Sequence, residues 1–454
     1  MMRRLPALLA LLLPLGASAQ SGFGFEYNPR LAPVLAAGDT LRQAWVGGFN
    51  SPLYSQIDLN ADGRQDLFVF DRISNRMMTF LDAAAPGGGR RWQYAPAYES
   101  IFPANLSNWV LLRDYDCDGR PDLWTLTSSN VAVYRNVAGS NGRPTFQLTT
   151  ALVPFSQLDG QAYPPTSIVL SPYDVPLIQD VNGDGKIDIL SPQRMELFQN
   201  IGATCGVLDF NYRLATPWAD LEWCGPSALS YGTSNSSCRP TGTNHFGGAG
   251  MLLQDFDQDG DLDVLIGRDG LGELVGIRNT GTNANPASSS TGIFTSIPNG
   301  VGTVVVNHFP IAHSIDATLD GKPDLVVASG AIENLLDYAS MRRNGVWFEN
   351  TGTTAAPVYQ RRTGSFLQSE MIDVSEGAAT TFGDVDGDGK VDMLVANYAD
   401  QYGPGPLFLS ADYRSTISYY RNVGTASQPV FSLVTDDYLG LSSRNFRRIR
   451  PSLV

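Results

Sequence analysis

Apolar residues come in short bursts along this chain. Leu67-Phe68-Val69-Phe70, Ile189-Leu190, Val264-Leu265-Ile266 and Leu325-Val326-Val327 are bounded by Gly, Asp, Asn or Ser. They are too short and too β-branched for helices and predict strands. Each burst follows the same polar spacing, Asp-x-Asp/Asn-x-Asp-Gly-x-x-Asp, which occurs at 58–66, 114–122, 180–188, 255–263 and 384–392, and at 316–324 with Thr318 in the third place. The first Asp recurs after 56, 66, 75, 61 and 68 residues, so the chain is a repeat protein with a period near 65. A second signature lies downstream in five repeats: Tyr134-Arg135-Asn136, Phe198-Gln199-Asn200, Ile277-Arg278-Asn279, Phe348-Glu349-Asn350 and Tyr420-Arg421-Asn422. In the last three, Asn-x-Gly-Thr leads to a Pro, and Pro357-Val358-Tyr359 and Pro429-Val430-Phe431 read as the start of a further strand.

Each repeat therefore holds about four strands. A unit of that size cannot bury both of its faces alone, and radial stacking of four-stranded blades into an all-β propeller is the economical solution. An open β-solenoid and separate beads are the competing arrangements. The 46 Gly and 28 Pro suit many short elements joined by turns and disfavour long helices.

The first residues carry a different pattern. Met1-Met2-Arg3-Arg4 is basic, Leu5 to Leu15 is apolar, and Ala17-Ser18-Ala19 is a small-x-small cleavage site, so residues 1–19 are expected to be a signal peptide and the protein to be secreted. The apolar run is shorter than the ~20 residues a membrane-spanning helix needs. No later stretch is long and apolar enough to span a bilayer. Of four cysteines, Cys205, Cys224 and Cys238 fall close together, and Cys224–Cys238 or Cys205–Cys224 is the expected local disulfide. His245 alone does not complete a zinc pattern with them.

The formal charge of −14 finds its explanation in the repeats, since 21 of the 45 acidic residues are Asp at the patterned positions. Oxygens at positions 1, 3, 5 and 9, a main-chain carbonyl at 7, and Gly at 6 for the sharp turn describe a loop wrapped around a hard cation, and Ca²⁺ fits this flexible all-oxygen set best. The candidate ligands are Asp58, Asn60, Asp62, Asp66; Asp114, Asp116, Asp118, Asp122; Asp180, Asn182, Asp184, Asp188; Asp255, Asp257, Asp259, Asp263; Asp316, Asp320, Asp324; and Asp384, Asp386, Asp388, Asp392. The Glu that an EF-hand places at position 12 is missing, and strands replace its flanking helices. Isolated Asp-Gly turns are common decoration in hairpins, but six aligned copies are not. Thr318 offers only a hydroxyl, so five to six sites are expected. Cys117, at a non-ligand place in its loop, is assigned no metal role.

These hairpins, at this spacing, resemble the FG-GAP/VCBS-type repeats of integrin α-subunit-like seven-bladed propellers, found in many secreted bacterial proteins and with linkers similar to those from Bacteroidetes. The resemblance covers nearly the whole mature chain. It implies that each loop joins the first two strands of a blade and binds calcium through the residues named above, least securely around Thr318. Six loops are present, and Pro451 stands four residues before position 455, where a seventh loop would open, as Pro176 stands before Asp180. The expectation is a seven-bladed propeller truncated at the C-terminus and part of a longer surface protein, with a closed six-bladed ring as the alternative.

Acidity disfavours nucleic acid as a partner. His245, His308 and His313 form no metalloprotease pattern, and no nucleophile elbow or phosphate-binding loop is present. The reading is a non-catalytic binding or adhesion module for protein or glycan. A lyase-like polysaccharide enzyme on the same scaffold, or a purely structural module, is the alternative. Enlarged segments between strands two and three, Glu333 to Asn344 and Asn397 to Ser415, bring Tyr338, Arg342, Arg343, Tyr398, Tyr402 and Tyr413 to the face opposite the loops. Ile201 to Gly250 adds Trp218, Trp223 and Tyr231. Ligand contact and ordinary loop packing both account for these aromatics.

Overall fold

The computed structural model describes residue 28 and residues 32–453, apart from short gaps and the segments 231–247, 333–339 and 403–411. The expected signal peptide, His245, Cys238, Tyr231, Tyr338, Arg343 and His308 lie outside the described residues, as do the side chains of Trp223, Cys224 and Tyr402.

The described chain is all-β, and each repeat forms an antiparallel four-strand unit, as a propeller-like fold requires. The first strands are Pro52–Ile57, Val110–Arg113, Leu177–Gln179, Ala249–Gln254, Pro310–Ile315 and Ala379–Gly383. The second strands are Asp66–Asp71, Asp122–Thr127, Asp188–Ser191, Asp263–Arg268, Asp324–Ser329 and Asp392–Ala396. One register is common to all six hairpins: the residue just before the first Asp faces the last Asp of the loop across the ladder, from Ile57 with Asp66 to Gly383 with Asp392. The repeated polar pattern therefore occupies one eight-residue connection six times.

The apolar bursts become second strands buried on both faces. Leu67 to Phe70 and Leu325 to Ala328 are wholly buried, because each sheet is covered by a neighbour on either side. Ile57, Phe68 and Phe70 of the first sheet meet Val110, Leu112 and Leu123 of the second. Trp124 and Val133 of the second meet Ile178, Ile189 and Phe210 of the third. The third packs on the fourth through Leu190 and Met251, and the fourth on the fifth through Leu265 and Val327. The fifth returns to the first, where Ile315 and Val326 join Tyr54, Leu67 and Phe80. The first strands of these five sheets line a common cavity of about 610 Å³.

The sixth sheet stands apart from the cavity that the other five line. Among the described residues its first strand lines no part of that cavity, and Phe382 on it is half exposed. Both of its faces are occupied by the chain's own ends. Val34, Ala44 and Trp45 pack on one face, and Tyr438, Leu441 and Ile449 on the other. Val34–Ala36 also pairs in parallel with the outer strand Phe431–Thr435, extending the sheet at its edge.

Candidate metal centre

Each loop is built by its first Asp. One oxygen of Asp58, Asp114, Asp180, Asp255, Asp316 and Asp384 accepts the N–H of the glycine five residues on, at 2.7 to 3.0 Å. These glycines have φ between +82° and +95°, and a Cβ on any of them would meet nothing within 4 Å, so the left-handed backbone and not crowding demands glycine. The fourth position is left-handed too, held by Gly183 and Gly387 but also by Ala61, Cys117, Gln258 and Leu319. The Asp at position 5 accepts the N–H of position 7, which turns that residue's side chain back over the loop. Lys322 and Lys390 there pair with Asp320 and Asp388 at 2.9 Å and also donate to the carbonyls of Asn350 and Asn422.

The last Asp of every loop is fully buried. In the second loop Asp122 accepts Tyr115 N–H at 2.9 Å on one oxygen and Asn136 N–H at 2.7 Å on the other. Asp66, Asp188, Asp263 and Asp392 are held in the same way by position 2 and by Asp82, Asn200, Asn279 and Asn422. This assigns the downstream signature a role that reading it as a strand marker missed. Its Asn ties the third strand to the loop, and its side chain folds the next turn: Asn422 Oδ1 accepts from Gly424 and Val430, as Asn350 does from Gly352 and Val358.

Burial pushes the carboxyls of Asp66, Asp122 and Asp188 up to about 7 and that of Asp263 to about 6, with repulsion from neighbouring loop carboxylates adding to burial. A nearby cation would reverse both effects.

The second loop shows the donor chemistry most fully. Oxygens of Asp114, Asp116 and Asp122 lie within 4.8 Å of one another. Asp114 Oδ1 and Asp116 Oδ1 are buried and accept no hydrogen bond, and the Asp116 side chain is only 10% exposed. Leaving two carboxylate oxygens dry, close and unpartnered is costly, and a hard cation is the group that relieves it. The fourth loop groups Asp255, Asp257 and Asp259, with Asp257 Oδ1 orphaned, and the sixth groups Asp384, Asp386 and Asp392. In the fifth, Thr318 donates both N–H and hydroxyl to Asp324, so its oxygen is turned to a structural bond. In the first and third, Asn60 and Asn182 bond to Asp62 and Asp184 within the loop.

One further correlation links the two signatures within the chain. Where position 3 is Asp, the middle residue of the downstream signature is Arg, and the two meet: Arg135 Nε on Asp116 at 2.5 Å, Arg278 on Asp257 at 3.4 Å and Arg421 on Asp386 at 2.7 Å. Where position 3 is Asn or Thr, the matching residue is Leu81, Gln199 or Glu349. The arginine balances the fourth carboxylate and binds its outer oxygen. Comparing the two signatures repeat by repeat would have found it.

Of the two expected disulfides, Cys205–Cys224 is corrected, while Cys224–Cys238 lies outside the described residues. Cys205 pairs with Cys117, their Cα atoms 5.9 Å apart, and so not with Cys224. Both sulfurs lie beside the Gly185 carbonyl, at 3.7 and 3.6 Å, so the bridge joins the second Asp-rich loop to the third sheet next to the third loop. Sequence proximity misled because neighbouring blades bring together residues 88 apart. The enlarged segments serve packing where they are described: Arg342 pairs with Asp436 at 3.0 Å, Tyr413 and Trp218 are buried, and Arg448 lies over the Tyr398 ring.

No family model and no curated protein matches this chain. A solved structure of an Agrocybe aegerita lectin, described as specifically recognising non-reducing terminal N-acetylglucosamine, is similar over 87% of this chain and 83% of its own, at 13% identity and a TM-score of 0.31. A likeness this loose carries no argument about fold or ligand.

Proposed function

We propose that this protein is a secreted, calcium-stabilised propeller of the FG-GAP/VCBS type that serves as a non-catalytic binding or adhesion module for an extracellular protein or glycan. Five sheets around the cavity with the sixth appended beside them is the arrangement we favour for the described residues. Calcium rests above all on Asp114 Oδ1 and Asp116 Oδ1, buried, unpartnered and within ligand distance of Asp122. In this reading Asp114, Asp116, Asp118 and Asp122 and their counterparts hold the ion, Thr318 leaves the fifth loop weakest, and the ion cancels charge that would otherwise sit in a dry pocket. The loops then fix the hairpin ends, and the rigid scaffold carries the binding surface.

Thermal melting with and without a strong chelator tests this. Calcium at 100-fold over its dissociation constant stabilises a one-site protein by about 2.7 kcal/mol, and several sites add to that. A clear fall in melting temperature on chelation, restored by Ca²⁺ and not by Mg²⁺, is expected. An unchanged melt at neutral pH would sink the calcium reading.

A further inference from the structure

The cavity between the first five sheets holds an arginine without an ion pair among the described residues. Arg113 ends the first strand of the second sheet and lines the cavity at the loop side. Its Nε donates to Ile178 O at 3.1 Å and its Nη1 to Leu112 O at 2.7 Å. It pairs with no carboxylate among the described residues, and burial alone lowers its pKa. An arginine in such a place is ordinarily paired.

The other ionisable groups of the wall make no ion pair with Arg113 among the described residues. Asp255 spends its oxygens on Gln258 N–H and Gly260 N–H within its own loop. His313 is 7% exposed, packs edge-on against Tyr54, and is held neutral because burial, followed by the Arg113 charge, lowers it to about 3. The opposite end of the ring is spanned by a second buried arginine whose needs are met. Arg72 donates to Asn108, Gly330, Pro172 and Tyr173 carbonyls, tying the first sheet to the second, third and fifth. Arg113 thus stands at the loop end of the cavity with no carboxylate in ion-pair contact among the described residues, Asp255 is the opposite charge in the same lining, and Arg72 spans the other end of the sheets.

The rest of the wall is uncharged and mostly apolar, built from Leu, Ile, Val, Met and Pro side chains, with a few polar groups set among them. The Gln179 and Ser314 side chains have no hydrogen-bond partner among the described residues, and Thr354 and Gln56 stand in the same lining. About 610 Å³ is within the range of small-molecule sites. We propose that this cavity binds a small hydroxylated carboxylate, a sugar acid, with Arg113 receiving the carboxylate and Gln179, Ser314 and Thr354 facing its hydroxyls. Arg113 keeps Nη2 and one hydrogen of Nη1 for this, and a guanidinium fork matches a carboxylate better than any other anchor. The proposal specifies a ligand for the binding role above and rests on that reading.

The test is titration calorimetry of the full mature chain in calcium with glucuronate, glucose, acetate and inorganic phosphate. Glucuronate is expected to bind at least tenfold more tightly than each of the other three, and more weakly as salt rises. Arg113→Gln should reduce glucuronate binding at least tenfold, and Ser314→Tyr, which fills the cavity and leaves the arginine in place, should abolish it. Absence of glucuronate binding, equal binding of glucose or phosphate, or full binding by a folded Ser314→Tyr protein would each overturn the proposal. A chain that loses stability on chelation and still ignores glucuronate would overturn this inference alone.

Discussion

A carboxylate at the end of each loop is asked to sit in a fully buried place, and two main-chain N–H groups per Asp make that tolerable. For Asp66, Asp122, Asp188 and Asp263 the folded pKa lies above the unfolded value, at about 7, 7, 7 and 6. A raised pKa means that the unfolded chain releases the proton first. Their contribution to stability is therefore full below about pH 4 and is lost as pH rises through 6 to 7. Calcium-free protein should show this loss in urea melts taken from pH 4 to 7.5. Added Ca²⁺ should stabilise more at each step upward, because it binds the deprotonated form. A calcium effect that shrinks as pH rises would contradict the assignment. The fourth loop position carries the opposite economy, with Ala61, Cys117, Gln258 and Leu319 accepting left-handed backbone so that the first Asp can collect its N–H donors.

Between elements, the hairpin loop and the third strand form one unit. The Asn N–H fastens them, and in alternate repeats an arginine adds charge balance, as in Arg135 with Asp116. The arginine is half exposed, so solvent screens the pair and its contribution is small. In chelator, Arg135→Gln should lower stability slightly through the unrelieved fourth carboxylate. The double variant Asp116→Asn with Arg135→Gln, which copies the third repeat, should recover it. A double variant as unstable as the single, measured by urea melts, would show that the arginine acts through packing. Both signatures of this unit were legible in the sequence, since each is local in a repeat. Their contact was not, because it joins residues 19 to 35 apart in the chain across a strand pair.

For the whole molecule, ring and staple matter more than any single sheet. The Cys117–Cys205 bridge spans 88 residues and ties the second loop to the third sheet. Cys117→Ser with Cys205→Ser should cost about 2–4 kcal/mol by loosening that constraint on the unfolded chain. The melting temperature under calcium reads this, and an unchanged value would show that the neighbouring sheets hold without it.

The sequence alone determined the repeat, the strand-loop-strand unit, the turn chemistry and the oxygen set, because each is written in a stretch of nine residues whose spacing is its geometry. The tertiary structure decided which sheets stand side by side. Nothing local says that Ile315 will meet Tyr54, that the chain's two ends will cover the sixth sheet, or that Cys205 will find Cys117. Those outcomes depend on which apolar faces bury one another most completely. The placing of Arg113 without an ion pair has the same origin, since first strands from five separate repeats line the cavity around it.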